Sequence, residues 1–278
     1  PPSFATLEAQ AEHEVGMSLA LMTYARHARG GRVDPTSISK MIDMKPRPFE
    51  PKSVVAALAA AEDPVAALRE FHPQHEGFKR LQRALVVARE KGAPAGDIQR
   101  IEVNLERWRW LPDNLGAFHV QNNIPEQLTR VFEDGKVVLT EKIVVGKTNS
   151  PTPLMSADMQ FVIFHPSWGV PSGIKSNELG PMLKRASLRN QEFFAEGNNV
   201  SRALSRHQLK VSHNGRDVNP DSIDWSRVDV RQFHFTQPPS AQNVLGVVKF
   251  RFPNKYDVYM HDTTERHLFS AGVRAFSH

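Results

Sequence analysis

The chemistry open to this sequence begins with twelve histidines and, on the nucleophile side, lacks any cysteine. An imidazole can take up and return a proton near neutral pH, which suits general acid–base work. No two histidines stand four residues apart, the spacing that sets two metal ligands on one helix face. His13, His27, His72, His75, His119, His207, His213 and His234 are scattered and read as surface or satisfied core residues. There is no phosphate loop, dinucleotide fingerprint or zinc-helix motif, so the sequence calls for no cofactor and no metal. Zero Cys removes disulfides, thiolate metal sites, iron–sulfur clusters and a cysteine nucleophile from these residues. The last thirty residues stand apart. They run through Phe252-Pro253-Asn254-Lys255-Tyr256, then Tyr259-Met260-His261-Asp262-Thr263, and reach Ser277-His278.

The elements that must position these residues fall in two halves. The 278 residues are 40 % apolar and 23 % charged, enough for a proper core and unlike a disordered or fibrous chain. No run of 18 apolar residues predicts a membrane span. The net charge of +5 is spread along the chain and interleaved with acids. That argues against a nucleic-acid binder and is compatible with an acidic polymer substrate. Residues 1–111 read as helical. Leu7, Ala11, Val15, Leu19 and Met22 mark one helix face, 51–61 predicts a helix capped at Ser53, and Asp63-Pro64 opens another. Two further stripes, Phe78 to Val86 and Ile98 to Trp108, flank a flexible 92–96 linker.

After Pro112 the composition turns to Val, Ile, Phe and Thr. Strands are expected at 117–122 and 127–132, with an Asp134-Gly135 hairpin turn to a second arm at 137–140 that continues over 141–146. Phe161-Val162-Ile163-Phe164 reads as a short buried strand, and strands resume at 244–252 and 256–260. Residues 176–237, rich in Asn, Arg, Ser and Asp, read as an insertion forming a cap or lid. The fold class expected is α+β: a helical scaffold over 1–111, then a mainly β sandwich or barrel over 112–278 that carries the cap.

The C-terminal words resemble the catalytic core of L,D-transpeptidases with the YkuD-type domain, in the large periplasmic branch. The family pattern is a histidine at a strand end, about 14 to 17 residues, then Ser/Thr-His-Gly-Cys. Here His261 is followed by 15 residues and then Ser277-His278. Upstream words agree: Arg107-Trp108-Arg109-Trp110-Leu111-Pro112, Asn123-Ile124-Pro125, Val144-Val145-Gly146-Lys147, Thr152-Pro153, and Pro166-Ser167-Trp168-Gly169-Val170-Pro171. The resemblance covers residues 100–278; the first hundred match loosely as the family's helical scaffold region. No separate peptidoglycan-binding repeat is visible.

The resemblance implies a cysteine thiolate as nucleophile, with His261 as its base and the acid for the leaving amine. Ser277 and His278 would line the nucleophile loop, His278 orienting His261 through its backbone carbonyl. Asp262 and Thr263 would fix the strand end. Tyr256 and Tyr259 are candidate pocket walls, or ordinary strand aromatics. Trp168 is a substrate platform or hinge packing, and Lys184, Arg185 and Arg189 would meet stem-peptide carboxylates or simply solvent. The nucleophile would fall at position 280, so the polypeptide is expected to continue with Gly, Cys and a downstream Arg. A chain ending at 278 would be inert in acyl transfer.

The implied partners are peptidoglycan stem peptides, other cell-wall enzymes and carbapenem inhibitors, with no nucleic acid. The implied location is the periplasm, and the implied role is in cell-wall synthesis and cell shape. The alternatives are an L,D-carboxypeptidase or amidase with water as acceptor, and a catalytically silent peptidoglycan-binding scaffold.

Overall fold

A computed structural model of the protein describes residues 3–191 and 196–277. The chain divides into two compact units, residues 1–156 with 272–278, and residues 157–271.

The first unit opens with six helices: α1 (Leu7–Gly30), α2 (Pro35–Ile38), α3 (Pro51–Ala60), α4 (Pro64–Glu70), α5 (Glu76–Glu90) and α6 (Ala95–Trp108). Their starts follow from local chemistry. The Asp63 carboxylate accepts from the N–H groups of Val65 and Ala66, and Pro64 occupies the first turn, where no donor is needed. For α3 the cap is Glu50 with Pro51 behind it, not the expected Ser53, whose hydroxyl donates back to the Glu50 carbonyl. Helices α5 and α6 pair through a tight turn over residues 91–94. The apolar stripe expected on α1 has a different fate: Leu7, Val15 and Leu19 are exposed, and the helix is buried only at Ala25, Ala28 and Gly30.

Around that buried end lies a crowded cationic cluster. The buried Arg47 guanidinium is pushed down to about 10, first by burial and then by Arg29 and Arg109, while the Asp113 carboxylate pairs with both Arg47 and Arg29. The neighbouring His72 is pushed to about 4, first by burial and then by Arg109 and Arg47. Its Nε2 meets the Tyr24 hydroxyl at 2.9 Å, its ring stacks on Phe78, and its Nδ1 is buried with no partner among the described residues. The folded pKa lies below the unfolded value of 6.5, so stability is level above pH 6.5 and falls from there to about pH 4. Over that window the unfolded chain binds a proton that the folded chain refuses. The full loss amounts to at most about 3 kcal/mol, less where solvent screens the ring. In urea unfolding between pH 7 and pH 4, the midpoint should fall more steeply for the wild type than for His72→Gln. Parallel slopes would contradict this.

The strands of the first unit form three small sheets. β2 (Phe118–Asn123), β3 (Leu128–Glu133) and β4 (Lys136–Lys142) make an antiparallel meander. Its hairpin turns at Asp134 and Gly135, both with positive φ (48° and 75°), which is the I′ geometry that an Asp-Gly pair favours. β1 (Ile42–Asp43) pairs in parallel with β6 (Leu154–Met155), and β5 (Val145–Gly146) with the last strand, β14 (Ala275–Ser277). Arg274 ties this end down: it is buried, and its guanidinium donates to the carbonyls of Gln127 and Ile143.

In the second unit, β8 (Trp168–Gly169), β9 (Lys210–His213), β10 (Arg216–Asp217) and β11 (His234–Gln237) form one sheet in the order β10-β9-β11-β8. A short helix α7 (Ser172–Ile174) runs through a π-helical turn into α8 (Gly180–Asn190), and α9 (Asn199–Arg206) follows. Asp221 holds the start of α9, accepting from the N–H groups of Val200 and Ser201. Among the described residues, 176–237 supply ten of the eleven side chains in the unit's buried apolar cluster, including Leu183, Val200, Trp225 and Phe235. The stretch read as an insertion is therefore built around a core of its own.

The other sheet of this unit is β13-β12-β7, from β7 (Phe161–Phe164), β12 (Val248–Arg251) and β13 (Met260–His261). β7 forms as expected but is not buried: Phe161, Val162 and Phe164 are exposed, because β7 is the edge strand and the described residues lay no cover over it. The strand expected at 256–260 shrinks to its end. Asn254 turns the chain first, its amide donating to the carbonyls of Phe252 and Val258 while its oxygen accepts from the N–H groups of Tyr256 and Val258.

Candidate functional site

The short pairing of β12 with β13 sets His261 directly opposite Lys249 and Met260 opposite Phe250. Residues directly opposite on an antiparallel pair point to the same face. His261 and Lys249 therefore share one side of the sheet, with Tyr259 beside them.

His261 is anchored at one ring nitrogen. Nδ1 hydrogen-bonds the backbone carbonyl of Asp262. A carbonyl only accepts, so Nδ1 carries the proton and Nε2 is left as the basic nitrogen of a neutral ring. By area the side chain is exposed, yet the protein crowds the imidazole enough to lower its pKa. Desolvation is the main cause and the Lys249 ammonium adds to it, against the Asp262 carbonyl and carboxylate. The ring thus favours the neutral form, the one a general base needs.

Asp262 locks the strand end instead of touching the basic nitrogen. Its N–H donates to the Val248 carbonyl at 2.9 Å, and its Oδ2 accepts from the Val247 N–H at 3.0 Å. Burial works against the carboxylate, but the N–H groups of Val247 and Thr263 and the Arg266 guanidinium prevail and hold it below the usual range. The seat depends on Gly246, whose φ is +61° and whose missing side chain leaves room for the carboxylate. Gly246→Ala adds a Cβ that overlaps the Asp262 side chain in a backbone conformation costing L-residues about 1–2 kcal/mol. The variant should be destabilised by at least that amount in urea unfolding; an unchanged midpoint would show that Asp262 is not seated there. Asn243 prepares the same corner. It is fully buried, its amide donates to the carbonyls of Pro166, Gln237 and Pro238, and its oxygen accepts from the Leu245 N–H.

Tyr259 is the wall of this group. Its ring centroid lies 5.7 Å from that of His261, and the Lys249 Nζ stands 3.5 Å from the ring centre, a close cation–π contact. Burial and the nearby Asp257 raise its hydroxyl pKa, while a hydrogen bond from Trp168 works the other way. Trp168 also pairs through β8 with Gln237 and packs against the apolar cluster of the unit. The indole thus connects the core to the tyrosine beside His261. Tyr256 sits in the neighbouring turn with the Lys255 Nζ 5.2 Å from its ring centre.

The structure brings together His261, Tyr259 and Trp168 of the expected residues. It adds two that sequence reasoning passed over, Lys249 and Gly246. The signal for Lys249 was the register of two short strands, which the sequence does not state. Ser277 is on β14 in the first unit, where its carbonyl accepts from the Lys147 N–H at 2.9 Å. His278 lies outside the described residues. No group of three or more metal-ligating side chains occurs among the described residues. No helix among them is long and apolar enough to cross a membrane.

Residues 117–278 match the L,D-transpeptidase catalytic domain known as YkuD, and residues 3–85 match a Scaffold domain. The match spans more than half of the chain, which therefore belongs to the L,D-transpeptidase catalytic-domain family. A curated relative from Haemophilus influenzae, named "Putative L,D-transpeptidase", is 29 % identical over 180 residues, covering 64 % of this chain and 34 % of the relative. The chain thus spans about a third of the length of the curated relative it matches. The helical start followed by a β-rich region agrees with the α+β class expected from the sequence.

Proposed function

We propose that this chain serves a peptidoglycan L,D-transpeptidase of the periplasm, working through a thioacyl-enzyme with His261 as the proton carrier. The observation that carries the reading is the fixed imidazole: Nδ1 is held by the Asp262 carbonyl, and Nε2 is left basic beside Tyr259. The nucleophile in this reading is a cysteine following Ser277-His278 in the full-length protein.

His261 Nε2 takes the thiol proton, and the thiolate attacks the carbonyl of the third stem residue, typically diaminopimelate, of a tetrapeptide donor. The tetrahedral oxyanion, held by backbone N–H groups, collapses. The C–N bond breaks, and the D-Ala amine leaves with the proton returned by His261. An acceptor amine then gives a proton to His261, attacks the thioester carbonyl, and expels the thiolate. A second stem as acceptor gives a 3→3 cross-link; a lipoprotein lysine is the other amine acceptor that fits. A carbapenem would trap the same thiolate.

The test incubates the full-length protein with disaccharide tetrapeptides and separates the products by liquid chromatography and mass spectrometry. The expected products are D-Ala and a cross-linked dimer. Tripeptide and D-Ala without dimer would replace transpeptidation by carboxypeptidase action, and no D-Ala would remove the enzyme reading.

A further inference from the structure

The strand register places Lys249 directly opposite His261, and the proposed steps give this cation no task. Its ammonium stands over the Tyr259 ring, and its strand partner is His261 itself. Among the described residues it forms no salt bridge. Partial burial and Arg251, two residues along the same strand face, both disfavour its charge, and Asp257 alone supports it. A partly desolvated ammonium that forms no salt bridge among the described residues, beside a second cation, is poised to accept a carboxylate from a ligand. An ammonium suits this role as a compact point charge with three donors, anchored here by an aromatic face.

We infer that Lys249 is a specificity-determining residue that binds a free carboxylate of the acyl donor, the terminal carboxylate of the D-amino acid that leaves. The inference rests on the functional reading above and adds to it the means by which the site selects a peptide with a free C-terminus. Three parts divide the work. Trp168 steadies the Tyr259 hydroxyl, the Tyr259 ring steadies the ammonium, and the ammonium sets the donor carboxylate on the His261 side of the sheet. The scissile amide, one residue in from that carboxylate, is then within range of the imidazole that returns the proton to the leaving amine.

Binding tests this without requiring turnover. The full-length protein is titrated by calorimetry with a stem tetrapeptide ending in D-Ala and with the same peptide as its C-terminal carboxamide. The wild type should bind the acid about tenfold more tightly, the size expected of one charge-assisted hydrogen bond. Lys249→Met should bind the acid only as well as the wild type binds the amide, leaving amide affinity unchanged, and Lys249→Arg should recover part of the difference. A substitution that merely disturbs the sheet would weaken both peptides equally and would overturn the inference. Equal binding of acid and amide by the wild type would overturn it too, while leaving the transpeptidase reading in place. Binding of neither peptide would overturn both.

Discussion

Replacing His261 with alanine in the full-length protein should lower acyl transfer from a tetrapeptide donor by about 10²- to 10⁴-fold, the range of a lost general acid–base. The expectation follows from the ring's environment. Nδ1 is committed to the Asp262 carbonyl, so one nitrogen only is available for proton traffic. Crowding and the Lys249 ammonium keep the ring neutral, so the base form is present at neutral pH. The acid limb of the wild-type pH–rate profile should therefore have its midpoint below 6.5, where the ring takes up a proton. His261 is exposed by area, so the substitution leaves the core intact and the unfolding midpoint nearly unchanged. A variant with native stability and more than a tenth of the wild-type rate would refute the assigned role.

Phe235→Ala should cost about 3–5 kcal/mol of stability, the range for emptying an aromatic site in a packed core. Phe235 has no exposed surface and sits on β11 opposite Val211, with the Trp225 ring 5.7 Å away. Leu183 and Val200 in the same cluster are also fully buried, so little can move in to fill the space. The loss should be felt at the site as well. β11 carries β8 at its edge, β8 presents Trp168, and Trp168 hydrogen-bonds the Tyr259 hydroxyl. Urea unfolding of the 278-residue chain gives the stability, and a loss below about 1 kcal/mol would mean that the site collapses without cost.

Much of the fold was legible because local rules decided it. The Asp63-Pro64 start, the α5–α6 pair and the Asp134-Gly135 hairpin each follow from side chains within a few residues. Where the rules failed, longer-range packing decided. The stripe on α1 has helical spacing, yet the described residues bury only its C-terminal end. The apolar run 161–164 looks like core but lies at a sheet edge. The polar stretch 176–237 spreads its apolar residues thinly along the sequence, so their convergence into one cluster is not visible from neighbouring positions. At the site, His261 was found by its place in a motif. Lys249 and Gly246 escaped because their roles arise from strand register and from the volume that Asp262 needs, neither of which is written in neighbouring residues.

In the proposed reaction a covalent acyl transfer runs through His261 and a cysteine beyond Ser277-His278. It is tested most directly by the intact mass of the full-length protein after brief exposure to a tetrapeptide donor, followed by peptide mapping. The expected result is a mass gain equal to the tripeptide acyl group, located on that cysteine and strongly reduced in His261→Ala. D-Ala release with no covalent adduct, or an adduct on a different residue, would contradict it.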